Sequence, residues 1–445
     1  MTWQETDEKG VFSRPIGENE TYIKLLGDTG LPLNREQWAI NSTATIVPTG
    51  SFASTDLAAH FRRAWMHQRF QHPSLAAEVA PDDTHFIYTR RRRRRLLRGR
   101  DPDLPADALR EAGLHPAVRG AARHTAHWRT DGMGVLLLLD AFLSLASGPA
   151  PLADPASLAW GTEIARLAPA IEDAAAVPKE STPELKERGA ALVNAFSHVV
   201  GAVGIPYLGD AATLPAGTRS AALVLSPETT EKIVAACKAR GVSVTVAVHA
   251  SVAAANYVLA DAAARDRHYT STVRFALRPY LPEPYSTPAF AAALYTTGWM
   301  KRVEAGASWA EHLQSYRDEY RKGITRDYLD SHREYAAQLG ELLRNLSQSG
   351  GDQPPPSDVD ISSIGNAEKI IRRSYGTSEA GFEVKAVSVG VEMLSRQAAT
   401  FVWTFRDQLN LSAVYNESFH SAEQMNQFVS TAKAKLLEGL GVQDS

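Results

Sequence analysis

A segment of mixed character, Val118 to His127, meets an apolar run, Val135 to Leu145, across the short link Trp128-Arg129-Thr130-Asp131-Gly132-Met133-Gly134. The hydrophobic period changes across that link, so the chain must pass from a strand through a tight loop into a helix. Asp131 stands where an aspartate caps the free N–H groups of a helix start, and it is also placed to pair with an arginine and stiffen the loop. Gly132 and Gly134 let the backbone turn sharply and leave room beside a neighbouring side chain. His127 sits at the mouth of this loop. A histidine there titrates near neutrality and is suited to take a proton from a hydroxyl or amine as that group attacks a carbonyl.

The 445 residues exceed one ordinary compact core and call for two, by the usual size of about 100–200 residues per domain. With 44% hydrophobic and 22% charged residues the composition is globular, neither disordered nor fibrous. Lys and Arg number 47 against 50 Asp and Glu, a formal charge of −3. That balance argues against a nucleic-acid or membrane partner and for a small substrate. The lone Cys237 excludes an internal disulfide and any cysteine-built zinc site. The polar start, Met1 to Gly10, has no signal-peptide pattern, and the apolar runs Val135–Leu139 and Ala289–Tyr295 are too short to span a bilayer. A cytoplasmic monomer is the expectation.

The elements read as a mixed α/β chain. Trp38 to Val47 predicts a strand closed by a turn at Pro48-Thr49-Gly50, and Leu57, Phe61, Ala64 and Trp65 predict a helix that stops near His72-Pro73. A strand, His85 to Thr89, leads into Arg90 to Arg95, six consecutive arginines. They read as a solvated loop or strand end, with a polyanion-binding or cofactor-phosphate role as the alternative. Pro149 to Pro183 has little periodicity, and a helix from Pro183 to His198 follows. The domain boundary is set between residues 175 and 215, dividing the chain into 1–190 and 191–445. In the second part Ala221–Leu225 predicts a strand, and Pro227–Arg240 a helix with Ser226 as N-cap and Gly241 after its end. Val244–Ala264 reads as an apolar helix. Strands are expected through Arg274 and Arg278 and around Ala291 to Trp299, then amphipathic helices from Trp309 to Leu346. An exposed Gly/Pro loop covers Gly350 to Pro356. Strands Val359–Ile364, Phe382–Val391, Ala398–Phe405 and Gln408–Tyr415 and a helix Ser421–Leu440 complete the chain.

Other chemistries find little support. His124 and His127 are spaced as HxxH, but no HExxH and no carboxylate at helical spacing accompanies them, so no metal is expected. Leu137 stands where a dinucleotide fingerprint begun at Gly132-Met133-Gly134 needs glycine. Neither a GxSxG elbow nor a GxxxxGK[ST] loop occurs. His249, in an apolar helix, and Trp403 and Tyr415, in late strands, read as core residues.

The motif His127-Trp128-Arg129-Thr130-Asp131-Gly132 resembles the HxxxDG of the superfamily that holds chloramphenicol acetyltransferase, condensation domains and the plant BAHD acyltransferases. The likeness extends along most of the chain. Gln71-His72-Pro73-Ser74-Leu75 is similar to the end of the family's first helix, Gly241 to Thr245 to the segment after its crossover, and Leu409 to Asn416 to its closing strand. Phe12 to Glu20 resembles fungal trichothecene 15-O-acetyltransferases. Ala126 replaces the first histidine of the condensation-domain HHxxxDG, and the BAHD DFGWG is absent.

The resemblance implies two chloramphenicol-acetyltransferase-like lobes in a V with a central tunnel. It also implies an acyl-CoA, acetyl-CoA above all, as co-substrate without a resident cofactor, and a fungal secondary-metabolite alcohol as acceptor. By the same resemblance His127 is the general base, Arg278 pairs with Asp131, and Ser362, Ser363 or Thr404 holds the oxyanion. Two alternatives stay open: a carrier-protein thioester as donor, and a non-catalytic relative that only binds a metabolite.

Overall fold

The computed structural model describes residues 2–54, 56–90, 119–148, 152–349 and 356–444. In chain order the first part holds β1 (Gln4–Glu5), β2 (Val11–Pro15), α1 (Glu18–Asp28), β3 (Ile40–Gly50), α2 (Leu57–Gln71), β4 (Glu78–Val79), β5 (His85–Thr89), β6 (Arg119–Thr125), α3 (Gly132–Ala146) and α4 (Pro183–Asn194). The second holds β7 (Thr218–Val224), α5 (Pro227–Ala239), α6 (Val244–Leu259), β8 (Tyr269–Ala276), β9 (Thr296–Val303), α7 (Trp309–Lys322), α8 (Arg326–Ser349), β10 (Val359–Asn366), β11 (Ser374–Gly376), β12 (Ala380–Val391), β13 (Ala398–Phe405), β14 (Gln408–Asn416) and α9 (Ala422–Leu440). Shorter turns are named by their residues.

Two four-stranded sheets carry the site. One runs β11-β12-β3-β6 and the other β10-β13-β14-β7, with β10 parallel to β13 and the remaining pairs antiparallel. β3 is flanked on both sides: Ile40 lies opposite Thr125 of β6 and opposite Val391 of β12. The inward positions of β3, Ile40, Ala44 and Ile46, pack under Leu57, Phe61 and Ala64 of α2 and Val135, Leu136 and Leu139 of α3. Each large side chain buried in this way contributes about 1.5–3 kcal/mol.

α2 begins at Asp56, whose carboxylate accepts from Ala58 N at 3.0 Å, and it stops before Pro73, which disfavours helix at His72. α5 starts on Ser226, whose hydroxyl accepts from Thr229 N, and Gly241 follows it with φ +62°. A second core joins α5, α6 and α9 to Val359, Ile361, Leu409 and Leu411. The period-two alternation of β13 divides the two cores: Phe401, Trp403 and Phe405 face the first, Ala398 and Val402 the second.

Several boundaries differ from the sequence expectation. β3 continues through Pro48-Thr49-Gly50, paired along its other side with Phe382, Gly381 and Ala380 of β12. β8 ends at Ala276, and Arg278 lies beyond it in a turn with Pro279, which has no N–H for a ladder. β9 begins at Thr296, five residues after Ala291, since the backbone of Ala291 to Tyr295 bonds elsewhere. α6 ends at Leu259, where Ala260 turns extended; the alanines beyond it gave no stop signal. Arg91 to Arg95, the His124 side chain and the glycines and prolines of 350–355 lie outside the described residues, whereas Arg90 donates to Trp160 O at 2.8 Å.

Among the described residues no single helix is long and apolar enough to cross a membrane. Nor do they include a cluster of three or more His, Cys, Asp or Glu suited to a metal ion.

Candidate active site

β6 delivers the chain to a single turn, His127–Arg129, and α3 takes it up at Gly132. The turn is pinned beyond His127. Trp128 stacks on Phe86 with centroids 4.4 Å apart, and the Arg129 guanidinium lies 4.6 Å from the Trp128 ring centre. Arg129 also donates to Thr125 Oγ1 at 2.7 Å and to Ala77 O at 2.8 Å.

Asp131 is the anchor. Its Oδ1 caps α3 by accepting from Gly134 N at 2.7 Å, and its Oδ2 accepts from Tyr295 N at 2.7 Å. Arg278 Nη1 donates to both carboxylate oxygens at 2.6 Å, while Nη2 reaches Ala293 O at 3.0 Å and Ala291 O at 3.3 Å. Both side chains are almost wholly buried, at 2% and 3% exposure. Breaking such a pair by removing one partner costs about 3–5 kcal/mol, because the other charge is left buried alone. Thr130 Oγ1 donates to Ala291 O at 2.9 Å, so the segment Ala291 to Tyr295 is tied to the loop directly by two of its backbone groups, Ala291 O and Tyr295 N, and through Arg278 by a third, Ala293 O. Gly134 has no room for a side chain. A Cβ there would overlap Thr130 Oγ1 and the Ala291 carbonyl and approach Arg278 Nη2 to 2.9 Å.

His127 itself is half-buried, and its Nδ1 is enclosed without a partner among the described residues. Burial holds the imidazole below its usual titration range; the backbone of His127 itself, the Asp131 charge and the backbone of Thr130 oppose that shift, and Arg274 adds to it. At pH 7 the ring is therefore neutral, the form that accepts a proton. Beneath the loop, the Glu36 carboxyl faces the backbone N–H of His127, and burial pushes it up to about 7 despite the nearby Arg129.

Of the sequence-derived residues, His127, Asp131, Gly132 and Arg278 come together here. A Cβ on Gly132 would lie 3.1 Å from Ile364 Cδ1, which brings the end of β10 against the loop. Ser362 shares a face of β10 with Asp360 and Ile364. The Ser363 hydroxyl is hydrogen-bonded to Thr245 Oγ1 at 2.8 Å, and Thr404 stands opposite Asn366 at the end of the β10–β13 ladder. Tyr295 and Arg274 acquire definite parts only in three dimensions. Arg274 had one sequence signal, a charge inside a β-branched strand pattern.

No protein-family model matches the chain. Across its whole length it is 40% identical to acetyltransferase pigO of Monascus ruber, covering 99% of that protein. It is 30% identical to O-acetyltransferase pigM of the same organism, covering 88% of it. The chain belongs to this family of fungal acetyltransferases. The acetyltransferase also shares its fold with the Fusarium sporotrichioides trichothecene 15-O-acetyltransferase TRI3, with a TM-score of 0.78 at 16% identity over 98% of this chain and 97% of that one. The first condensation domain of the CDA synthetase gives a TM-score of 0.64 at 15% identity, covering 97% of each chain. The lobes of the enzyme are thus of the chloramphenicol-acetyltransferase type expected from the sequence.

Proposed function

We propose that the enzyme transfers an acetyl group from acetyl-CoA to a hydroxyl of a fungal secondary metabolite, with His127 as general base. The observation that carries this reading is a half-buried His127, with no side-chain partner among the described residues, on a loop whose carboxylate is wholly committed to Arg278, Tyr295 N and Gly134 N. The names of the relatives support the acyl group and the acceptor class: pigM is an O-acetyltransferase, and TRI3 acetylates a trichothecene at its 15-oxygen.

In this reading the two lobes, 1–190 and 191–445, flank a tunnel, with Ser374 to Val391 lending strands to the first. Acetyl-CoA and the alcohol enter from opposite mouths. His127 takes the hydroxyl proton as the oxygen attacks the thioester carbonyl. The C–O bond forms, the carbonyl pair moves onto oxygen, and the tetrahedral oxyanion collapses with loss of the CoA thiolate, which recovers the proton from the imidazolium. Such base catalysis is worth about 10²–10⁴-fold. Asp131 does not take this proton; it fixes the loop. Ser362, Ser363 and Thr404 are the hydroxyls proposed to steady the oxyanion, and Ser362 has the best claim because it shares the Ile364 face that meets Gly132.

The test is thiol release from acetyl-CoA over a panel of fungal polyketide and terpenoid alcohols, comparing wild type with His127→Ala. Acceptor-dependent release that vanishes in the folded variant supports the reading. Release that survives in His127→Ala removes the general-base role. Turnover with carrier-bound but not free thioesters moves the donor to a carrier protein.

A further inference from the structure

Between α3 and α4, residues 168–178 form a strap held by side chains from distant elements. Ala168 O accepts from Trp3 Nε1 at 2.8 Å and from Arg14 Nε at 3.2 Å, and Pro178 O accepts from Arg333 Nε at 3.2 Å. Pro169 O accepts from Tyr295 OH at 3.2 Å. Tyr295 N is also a donor to Asp131, so the strap touches a residue that anchors the His127 loop.

The strap reaches back to α1 through one carboxyl group. Glu172 is only 1% exposed, and its Oε1 accepts from Asn19 N in the first turn of α1 at 2.8 Å. Its Oε2 is enclosed without a partner, as is Asn19 Oδ1. Gly17, just before α1, permits the close approach: a Cβ there would stand 2.6 Å from both Ala170 Cβ and Glu172 Oε2, and 3.3 Å from Glu20 Oε2. Two buried carboxyl groups therefore crowd one point.

The charges at this point do not balance. Arg14 of β2 donates to both oxygens of Glu20, at 2.7 and 2.6 Å, and Arg333 of α8 donates to Glu18 Oε1 at 2.6 Å. Each arginine thus has its own carboxylate. Among the described residues no cation forms an ion pair with Glu172. Tyr22 and Tyr295, the other titratable groups nearby, hold their protons because burial raises both. An ionised Glu172 would be a buried anion with no counter-ion and a second carboxylate beside it, which disfavours the charged form. A proton on Oε2 also turns an acceptor that lacks a donor into a donor. Burial and the charges of Glu18 and Glu20 push this carboxyl up to about 7 against the opposing Asn19 N–H.

We propose that Glu172 closes onto α1 as a neutral acid, so that one buried proton latches the strap and its loss loosens it. An opened strap exposes Glu172 to water, where a glutamate has a pKa of about 4.3. Between that value and about 7, opening releases a proton. The latch is therefore fullest in acid, weakens as the pH rises through this window, and changes no further above it.

Hydrogen–deuterium exchange of the full chain, corrected for the intrinsic rate at each pH, reads the strap without any acceptor or turnover. In wild type, protection of residues 168–178 is expected to fall about tenfold per pH unit from pH 5 to 7 and to level off by pH 8. In Glu172→Gln, whose amide is neutral at every pH, it should stay level. Parallel profiles in the two proteins overturn the proposal. Gly17→Ala, which forces Ala170 and Glu172 off α1, should lower protection even at pH 5 and flatten its pH dependence; a strap that behaves there as in wild type also overturns it. Should neither variant fold, wild type alone decides, because protection unchanged between pH 5 and 8 leaves no proton to act as a latch.

Discussion

His127 and His249 are both held neutral by burial, yet their surroundings differ in kind. His249, on α6, is fully enclosed. Its Nε2 meets Ser271 Oγ at 2.7 Å, its Nδ1 meets Tyr320 OH at 3.3 Å, and its ring stacks on Tyr316 with centroids 3.7 Å apart. Its pKa falls to about 3 by desolvation. His127 is half-buried, only its Nδ1 is shut in, and no side chain among the described residues hydrogen-bonds its ring. A depressed pKa is common to both, so it does not mark the reactive residue. The distinguishing features are an imidazole without a side-chain partner among the described residues and the ion pair that stiffens the loop beneath it.

That contrast yields measurements in descending order of effect. His127→Ala is expected to lower acetyl transfer by about 10²–10⁴-fold while thermal unfolding stays near wild type. His249→Gln should do the reverse, with kcat retained and stability reduced; equal losses of activity in the two variants would erase the distinction. Asp131→Ala removes the carboxylate that neutralises Arg278 and is expected to cost about 3–5 kcal/mol in denaturant unfolding. A cost below about 1 kcal/mol would mean that the loop does not depend on the pair.

The pH dependence of stability sharpens the comparison further. The folded pKa of His249 lies at about 3, below the unfolded value of about 6.5. The unfolded chain therefore takes up the proton first, so the stability that His249 supports is complete above pH 6.5 and is lost as the pH falls from 6.5 toward 3. Between pH 7.5 and 4.5, wild type should lose about 3 kcal/mol more than His249→Gln. Parallel losses in the two proteins would show that the ring is not kept neutral in the fold. The smallest effect is assigned to Ser363→Ala, which breaks one hydroxyl pair with Thr245 and should cost about 1 kcal/mol. A rate loss above about tenfold there would promote Ser363 over Ser362 as the oxyanion group.

The loop and its helix were legible because their signals are local: an aspartate before an apolar helix, glycines at a tight turn, and a histidine at its mouth. Strand and helix limits were legible for the same reason wherever Pro, Gly or Ser punctuates the chain, as at Pro73 and Ser226. The segment Ala291 to Tyr295 was misread as strand, since its apolar run looks β-like, while its backbone bonds are taken by Thr130, Asp131 and Arg278 from far along the sequence. Arg274 and Asp360, 86 residues apart, carried no pattern that links them. Contacts of that separation become visible only when two strands are laid side by side.

β3 has its own consequence for how the chain is made. It is central in its sheet only because β12, more than 300 residues later, forms its second edge. During synthesis β3 must wait, with one row of backbone groups unpaired, until Val391 has left the ribosome, and such open edges invite pairing with other chains. A fragment that stops near residue 190 would carry the whole His127 loop and still expose that edge. Recombinant production of the first part alone should therefore yield aggregates, whereas co-expression with the remainder offers the missing strand a route to dock.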